Sequence, residues 1–107
     1  MNDLERRRRE GRAAILKALA HPSRVLIVER LAEKPYCVCE LTAMVGADTS
    51  TVSKHLSILR NAGIVSDSKQ GTSVYYSLEA PCLLRLLDCV ESVIQKNLQR
   101  QLSYLKA

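Results

Sequence analysis

TSTVSKHLSILRNAG, residues 49–63, is the stretch whose reading decides the fold. Val52, Leu56 and Leu59 recur at spacings of four and three, the repeat of a helix with one buried stripe, which leaves Ser50, Ser53, Lys54 and Ser57 on the opposite face. Asp48 or Thr49 is the predicted cap and Gly63 the stop. An outer face this small, polar and basic can approach another surface closely.

Immediately upstream, CVCELTAMVG (37–46) predicts a shorter helix from Cys37 or Val38 to about Val45, with Val38, Leu41 and Val45 on one stripe and Gly46 closing it. Only the turn GAD (46–48) separates the two. Two short helices joined in this way have the form of a helix-turn-helix whose second helix enters the DNA major groove. In that geometry Thr49, Ser50, Thr51 and Ser53 lie close to base edges, and Lys54 neutralises a phosphate or contacts guanine. His55 packs or meets a phosphate. Downstream, IVSDSKQGTSVYYSL (64–78) reads as a β-hairpin turning at Lys69–Thr72, whose tip residues Lys69, Gln70 and Thr72 would reach the flanking minor groove or backbone.

Farther out, residues 3–19 read as a first helix, basic at Arg6–Arg9 and apolar at Ile15, Leu16 and Leu19. PSRVLIVERLAE (22–33) reads as a second, started by Pro22, with Leu26, Ile27, Val28 and Leu31 inward. Residues 80–106 form a last helix striped by Leu83, Leu87, Val90, Ile94, Leu98, Leu102 and Leu105. The rest of the chain offers too little surface to cover that stripe, which is therefore assigned to a second copy.

The bulk properties agree. A chain of 107 residues is one ordinary domain, and with no Trp, no Phe and four Tyr its interior must be built from Leu, Ile and Val. Sixteen Lys and Arg against eleven acids give a net charge of +5 and a pI near 9.2, which favours an anionic partner. No stretch approaches a membrane span and the N-terminus lacks a signal-peptide core, so a cytoplasmic protein without a membrane partner is expected. There is no Gly-rich phosphate loop and no nucleophile–base arrangement, so no enzyme is expected.

The cysteines carry the remaining chemistry. In a reducing compartment the four are thiols, metal ligands or redox sensors before they are structural disulfides. Cys37 and Cys39 are soft donors suited to thiophilic ions. Residues i and i+2 diverge in an ideal helix, so joint capture of one ion should distort the first helical turn and, through GAD, move the second helix. A zinc-stabilised interaction module is the alternative from another class, although C-x-C followed 43 residues later by C-x6-C is poor ligand spacing.

In order and spacing, ALAHPSRVLIVERLAE, CVCELTAMVG, STVSKHLSILRNAGIV and GTSVYYSL resemble the ArsR/SmtB family of bacterial metal-responsive repressors over roughly residues 12–80. The resemblance implies a mainly α fold with a small β-hairpin wing, an α+β winged helix-turn-helix. Residues 1–20 and 80–107 would then be dimerisation helices, 38–63 the helix-turn-helix and 64–79 the wing. It further implies a homodimer that holds double-stranded operator DNA, an inverted repeat, until a ligand releases it. CVCEL at this position resembles members that sense As(III) or Sb(III), with related forms sensing Cd(II) or Pb(II). Cys37 and Cys39 would be the ligands. Where arsenic-sensing relatives often carry a third cysteine this chain has Thr42; Cys82, the more reactive, or Cys89, closer to the core, would complete the site, with a two-sulfur site plus an exogenous ligand as the alternative. The last helix lacks the Asp, His and Glu ligands of zinc-sensing relatives, so no second metal site is expected there. A persulfide- or oxidant-sensing repressor joining Cys37 or Cys39 to Cys89 is the rival of the same fold.

Overall fold

A computed structural model describes residues 1–106. The described residues form α1 (Asp3–Leu19), α2 (Pro22–Leu31), β1 (Tyr36–Cys37), α3 (Val38–Val45), α4 (Thr49–Asn61), β2 (Val65–Gln70), β3 (Ser73–Leu78) and α5 (Leu83–Lys106). This is the expected mainly helical fold with a small wing. Residue 107, the end of the expected C-terminal dimerisation helix, lies outside the described residues.

Local chemistry sets the boundaries. Asn2 and Glu5 close a reciprocal capping box at the start of α1. At α2 the Nδ1 of His21 accepts the Ser23 N–H at 3.0 Å, and Pro22 takes the first turn, where its missing N–H costs nothing. Gly46 and Gly63 end α3 and α4 with φ of 75° and 77°, the left-handed conformation that a Cβ opposes.

Ile27, Val28, Leu41, Val52, Leu56 and Leu59 are completely buried where α2, α3 and α4 meet, with Ile64, Val65 and Tyr76 of the wing's base packed on them. Leu26 is only half-buried and Leu16 is 52% exposed, because the apolar faces of α1 and α2 are wider than the surface this single chain sets against them.

Several expectations are corrected. The wing has a third strand: the sheet order is β1-β3-β2, antiparallel throughout, and Tyr36 and Cys37 pair with Tyr76 and Tyr75. The hairpin turn is tighter than Lys69–Thr72. Gln70 pairs with Ser73, leaving Gly71 and Thr72 as the loop, and Gly71 supplies the positive φ of 64° that a two-residue hairpin needs. Leu83, rather than residue 80, opens α5, and α2 stops two residues early, at Leu31.

No described residue of the 24-residue α5 is buried, and its stripe stands open, from 46% exposed at Val90 to 84% at Leu105. No described helix is long and apolar enough to cross a membrane.

Candidate metal centre and nucleic-acid interface

The second helix of the expected helix-turn-helix is α4. Its cap is Asp48, whose Oδ1 accepts the Thr51 N–H at 2.7 Å and the Ser50 hydroxyl at 3.0 Å. Hydrogen bonding from Thr51, then from Ser50, holds this carboxyl below the usual carboxylate range. Ser50 therefore already spends its one proton on the cap and can meet DNA only as an acceptor or through its methylene. Thr49, Thr51, Ser53 and Lys54 stand exposed beside it, and Lys69, Gln70 and Thr72 stand exposed at the wing tip.

His55 does not share that face. It is 9% exposed, its ring lies 4.3 Å from that of His21, and its Nδ1 sits 3.5 Å from an Arg24 nitrogen. One turn of helix separates Thr51 from His55, yet the position is turned toward α2, so its place among the DNA contacts is withdrawn. Burial, followed by the neighbouring His21 and Arg24, pushes its pKa below the ordinary 6.5.

Sequence reasoning missed one link. Arg60, near the end of α4, donates to Asp67 of β2 at 2.9 Å, tying the reading helix to the wing. The pair is too exposed to add much stability, and it joins α4 to β2 across the helix end. Separated by seven residues across a helix end, it had no periodic signal.

The thiol pair is arranged differently from expectation. Cys37 is not in the helix: with φ −78° and ψ 162° it is the extended N-cap of α3. Its Sγ accepts the Glu40 N–H at 3.4 Å, and its own N–H is taken by Glu40 Oε1 at 3.0 Å. The strand-like cap turns the first sulfur back over the helix start, where Cys39, exposed in the first turn, meets it. The two sulfurs are joined as a disulfide across a Cα–Cα distance of 5.4 Å. Distortion of the first turn is thus unnecessary for the sulfurs to converge. The ideal-helix argument failed because only one of the two residues is helical.

Beside the pair opens a cleft of about 310 Å3 lined by Cys37, Val38 and Cys39, by Thr49 from the start of α4, and by Thr72, Ser73 and Val74 from the wing. The cysteine pair, the start of α4 and the wing therefore line one cavity. Once reduced, two sulfurs this close together are a soft donor pair of the kind that suits a thiophilic ion. Among the described residues no cluster of three or more His, Cys, Asp or Glu side chains exists to hold a hard or fully protein-ligated ion. Cys82, just before α5, and Cys89, within it, are exposed and do not line the cleft, so the assignment of Cys89 to the core is corrected for the single chain. Thr42 donates its hydroxyl to Val38 O at 2.7 Å and is committed to its own helix.

The profile of the family "Bacterial regulatory protein, arsR family" matches residues 21–67. The HTH-type transcriptional regulator Rv0081 of Mycobacterium tuberculosis is 35% identical over 96 residues, 89% of this chain and 84% of that one. Its crystal structure superposes with a TM-score of 0.74 at 33% identity, covering 95% of this chain and 99% of that chain. A homolog of the cadmium resistance transcriptional regulatory protein CadC, from Staphylococcus aureus, is 38% identical over 77 residues, 71% of this chain and 64% of its own length. The homodimeric winged helix-turn-helix DNA-binding domain Mb0332 of Mycobacterium bovis superposes with a TM-score of 0.77 at 27% identity, covering 94% of this chain and 93% of that chain.

Proposed function

The chain belongs to the ArsR family of DNA-binding transcriptional regulators, and from that premise we propose that it is a homodimeric repressor that releases its operator when Cys37 and Cys39 capture a soft thiophilic ion, As(III) or Sb(III) foremost. One observation carries this reading: Cys37 caps α3, pairs with the wing strand β3, and shares with Cys39 a cleft walled by Thr49 and Thr72. The open stripe of α5 and the homodimeric relative support the dimer. A two-fold dimer presents two reading helices to half-sites about 34–36 Å apart, hence an inverted repeat.

Thiophilic chemistry at the site supplies strong bonds to sulfur. The residues supply the coupling. In the reduced pair, Cys37 Sγ is both the α3 cap and a ligand, and engaging it weakens its bond from the Glu40 N–H. Whatever fills the cleft beside it presses β3 and the start of α4 apart. DNA is released only to the extent that the filled cleft disfavours the wing and helix spacing that grips the operator.

A second reading rests on the disulfide itself. Cys37 and Cys39 close on each other, not on Cys89, so an oxidant could act at the same place with the same mechanical outlet.

The test is a titration of the reduced dimer with arsenite, antimonite, Cd(II) and Pb(II), followed by sulfur-to-ion absorbance. Wild type, Cys82→Ser and Cys89→Ser should bind one ion per chain, and Cys37→Ser and Cys39→Ser should not. Binding that survives loss of either residue of the pair contradicts the assignment.

A further inference from the structure

We propose that the cavity between α1, α2 and the end of α4 is an effector site for a small organic monocarboxylate, separate from the cysteine pair and not dependent on it. The cavity holds about 450 Å3, more than the cleft beside Cys37 and within the roughly 300–1,000 Å3 of small-molecule pockets. Its lining has two chemistries. Ala14 and Ala18 of α1 and Ile58 of α4, the last 41% exposed, supply apolar surface. Lys17, Arg24 and Asn61 supply two cations and an amide, and no carboxylate lines the cavity.

Arg24 marks the site for an anion. It is half-buried, yet among the described residues neither Arg24 nor Lys17 takes part in an ion pair. One guanidinium nitrogen lies 3.5 Å from His55 Nδ1, at the limit of a hydrogen bond, and the buried Nε has no partner. Withdrawing a cation from water without a counter-charge is costly. A carboxylate is the group whose two oxygens match the planar guanidinium fork. Lys17 adds a second positive charge from α1, and Asn61 adds an amide donor from α4. A carboxylate on a short apolar body satisfies both chemistries, with charge at Arg24 and Lys17 and carbon against the alanines and Ile58. These α1 residues face α4 of their own chain, which leaves the open stripe of α5 for a second copy.

Occupancy bears on α4. Ile58 and Asn61 flank Arg60, which is bonded to Asp67 of the wing, and Arg24 meets His55 one turn earlier. A bound anion offsets two cations beside the helix proposed to grip DNA, so it should weaken operator binding, and DNA should weaken the anion's binding by the same factor.

The experiment uses the reduced full-length dimer and three probes: sodium benzoate, its neutral counterpart benzamide, and inorganic phosphate. Calorimetry reads binding, and fluorescence anisotropy reads operator affinity against sodium chloride at equal concentration. Expected is one benzoate per chain, bound at least tenfold tighter than benzamide or phosphate, with the operator Kd raised at least threefold at saturation. Lys17→Gln and Asn61→Asp, both at exposed positions, should weaken benzoate at least fivefold and remove its effect on DNA. Benzoate that does not bind, that binds no more tightly than benzamide or phosphate, or that is untouched by both substitutions in folded dimers overturns the site. An operator affinity unmoved by bound benzoate overturns the effector role. Binding seen only in a chain made monomeric by Leu98→Glu shows that a second copy fills the cavity, and equally overturns the proposal.

Discussion

Cys37 faces Tyr75 across the β1–β3 ladder, so the residue whose sulfur caps α3 is also part of the wing sheet. A backbone held on one side by wing hydrogen bonds and on the other by a helix cap cannot shift without moving one of them. On the proposed function, the capturing pair would thus lie directly beside the elements proposed to grip DNA.

The cap makes the choice of cysteine replacement informative. Cys37→Ser keeps an acceptor for the Glu40 N–H and should leave stability close to wild type. Cys37→Ala removes it and should cost roughly 0.5–1 kcal/mol. Urea unfolding at fixed dimer concentration checks the difference, and equal losses for both variants would show that the sulfur cap contributes nothing.

Lys54 on α4 and Lys69 at the wing tip are exposed cations that no ion pair engages among the described residues. Lys54→Ala and Lys69→Ala should each weaken DNA binding across sequences and reduce the slope of log affinity against log salt by about 1. Fluorescence anisotropy from low to moderate salt measures it. A replacement that alters operator preference while leaving the slope intact would place that lysine on a base edge, away from phosphate.

His55 sets a pH dependence. Its pKa is lowered in the fold by burial and by the nearby His21 and Arg24, so between the folded value and 6.5 the unfolded chain binds more protons. The His55 contribution to stability is therefore complete above about pH 6.5 and is lost as pH falls through the folded value. Denaturation midpoints at pH 7.5 and 5.5 should differ more for wild type than for His55→Gln.

The stripe of α5 is open in one chain, with Ile94 at 54% and Leu98 at 55% exposure. Leu98→Glu should shift sedimentation toward monomer and lower operator affinity, since a single reading helix loses its tethered partner. An unchanged dimer would move the interface elsewhere.

Where periodicity was long, the sequence was enough: the stripe Val52–Leu56–Leu59 located α4 to within two residues, and the Gly71 turn located the hairpin. It misled where one residue serves two elements. Tyr36–Cys37 is too short to read as a strand, and its pairing with Tyr75–Tyr76 depends on chain nearly 40 residues away. The same two-residue strand brings the sulfurs together, so their convergence was hidden although both cysteines were plain. His55 was misplaced although it stands three residues after Val52 and four before Leu59, on the buried stripe of α4 itself; its polar side chain suggested the outer face, and the spacing was the signal that could have corrected it.

The most direct test is operator release, measured by anisotropy on reduced wild type, Cys37→Ser, Cys39→Ser, Cys82→Ser and Cys89→Ser during titration with arsenite and antimonite. Wild type and the two α5-side variants should let go of DNA at similar concentrations, whereas Cys37→Ser and Cys39→Ser should bind DNA normally and hold on throughout. Release by either of those two variants at wild-type concentrations, or retention by Cys82→Ser or Cys89→Ser, would contradict the account.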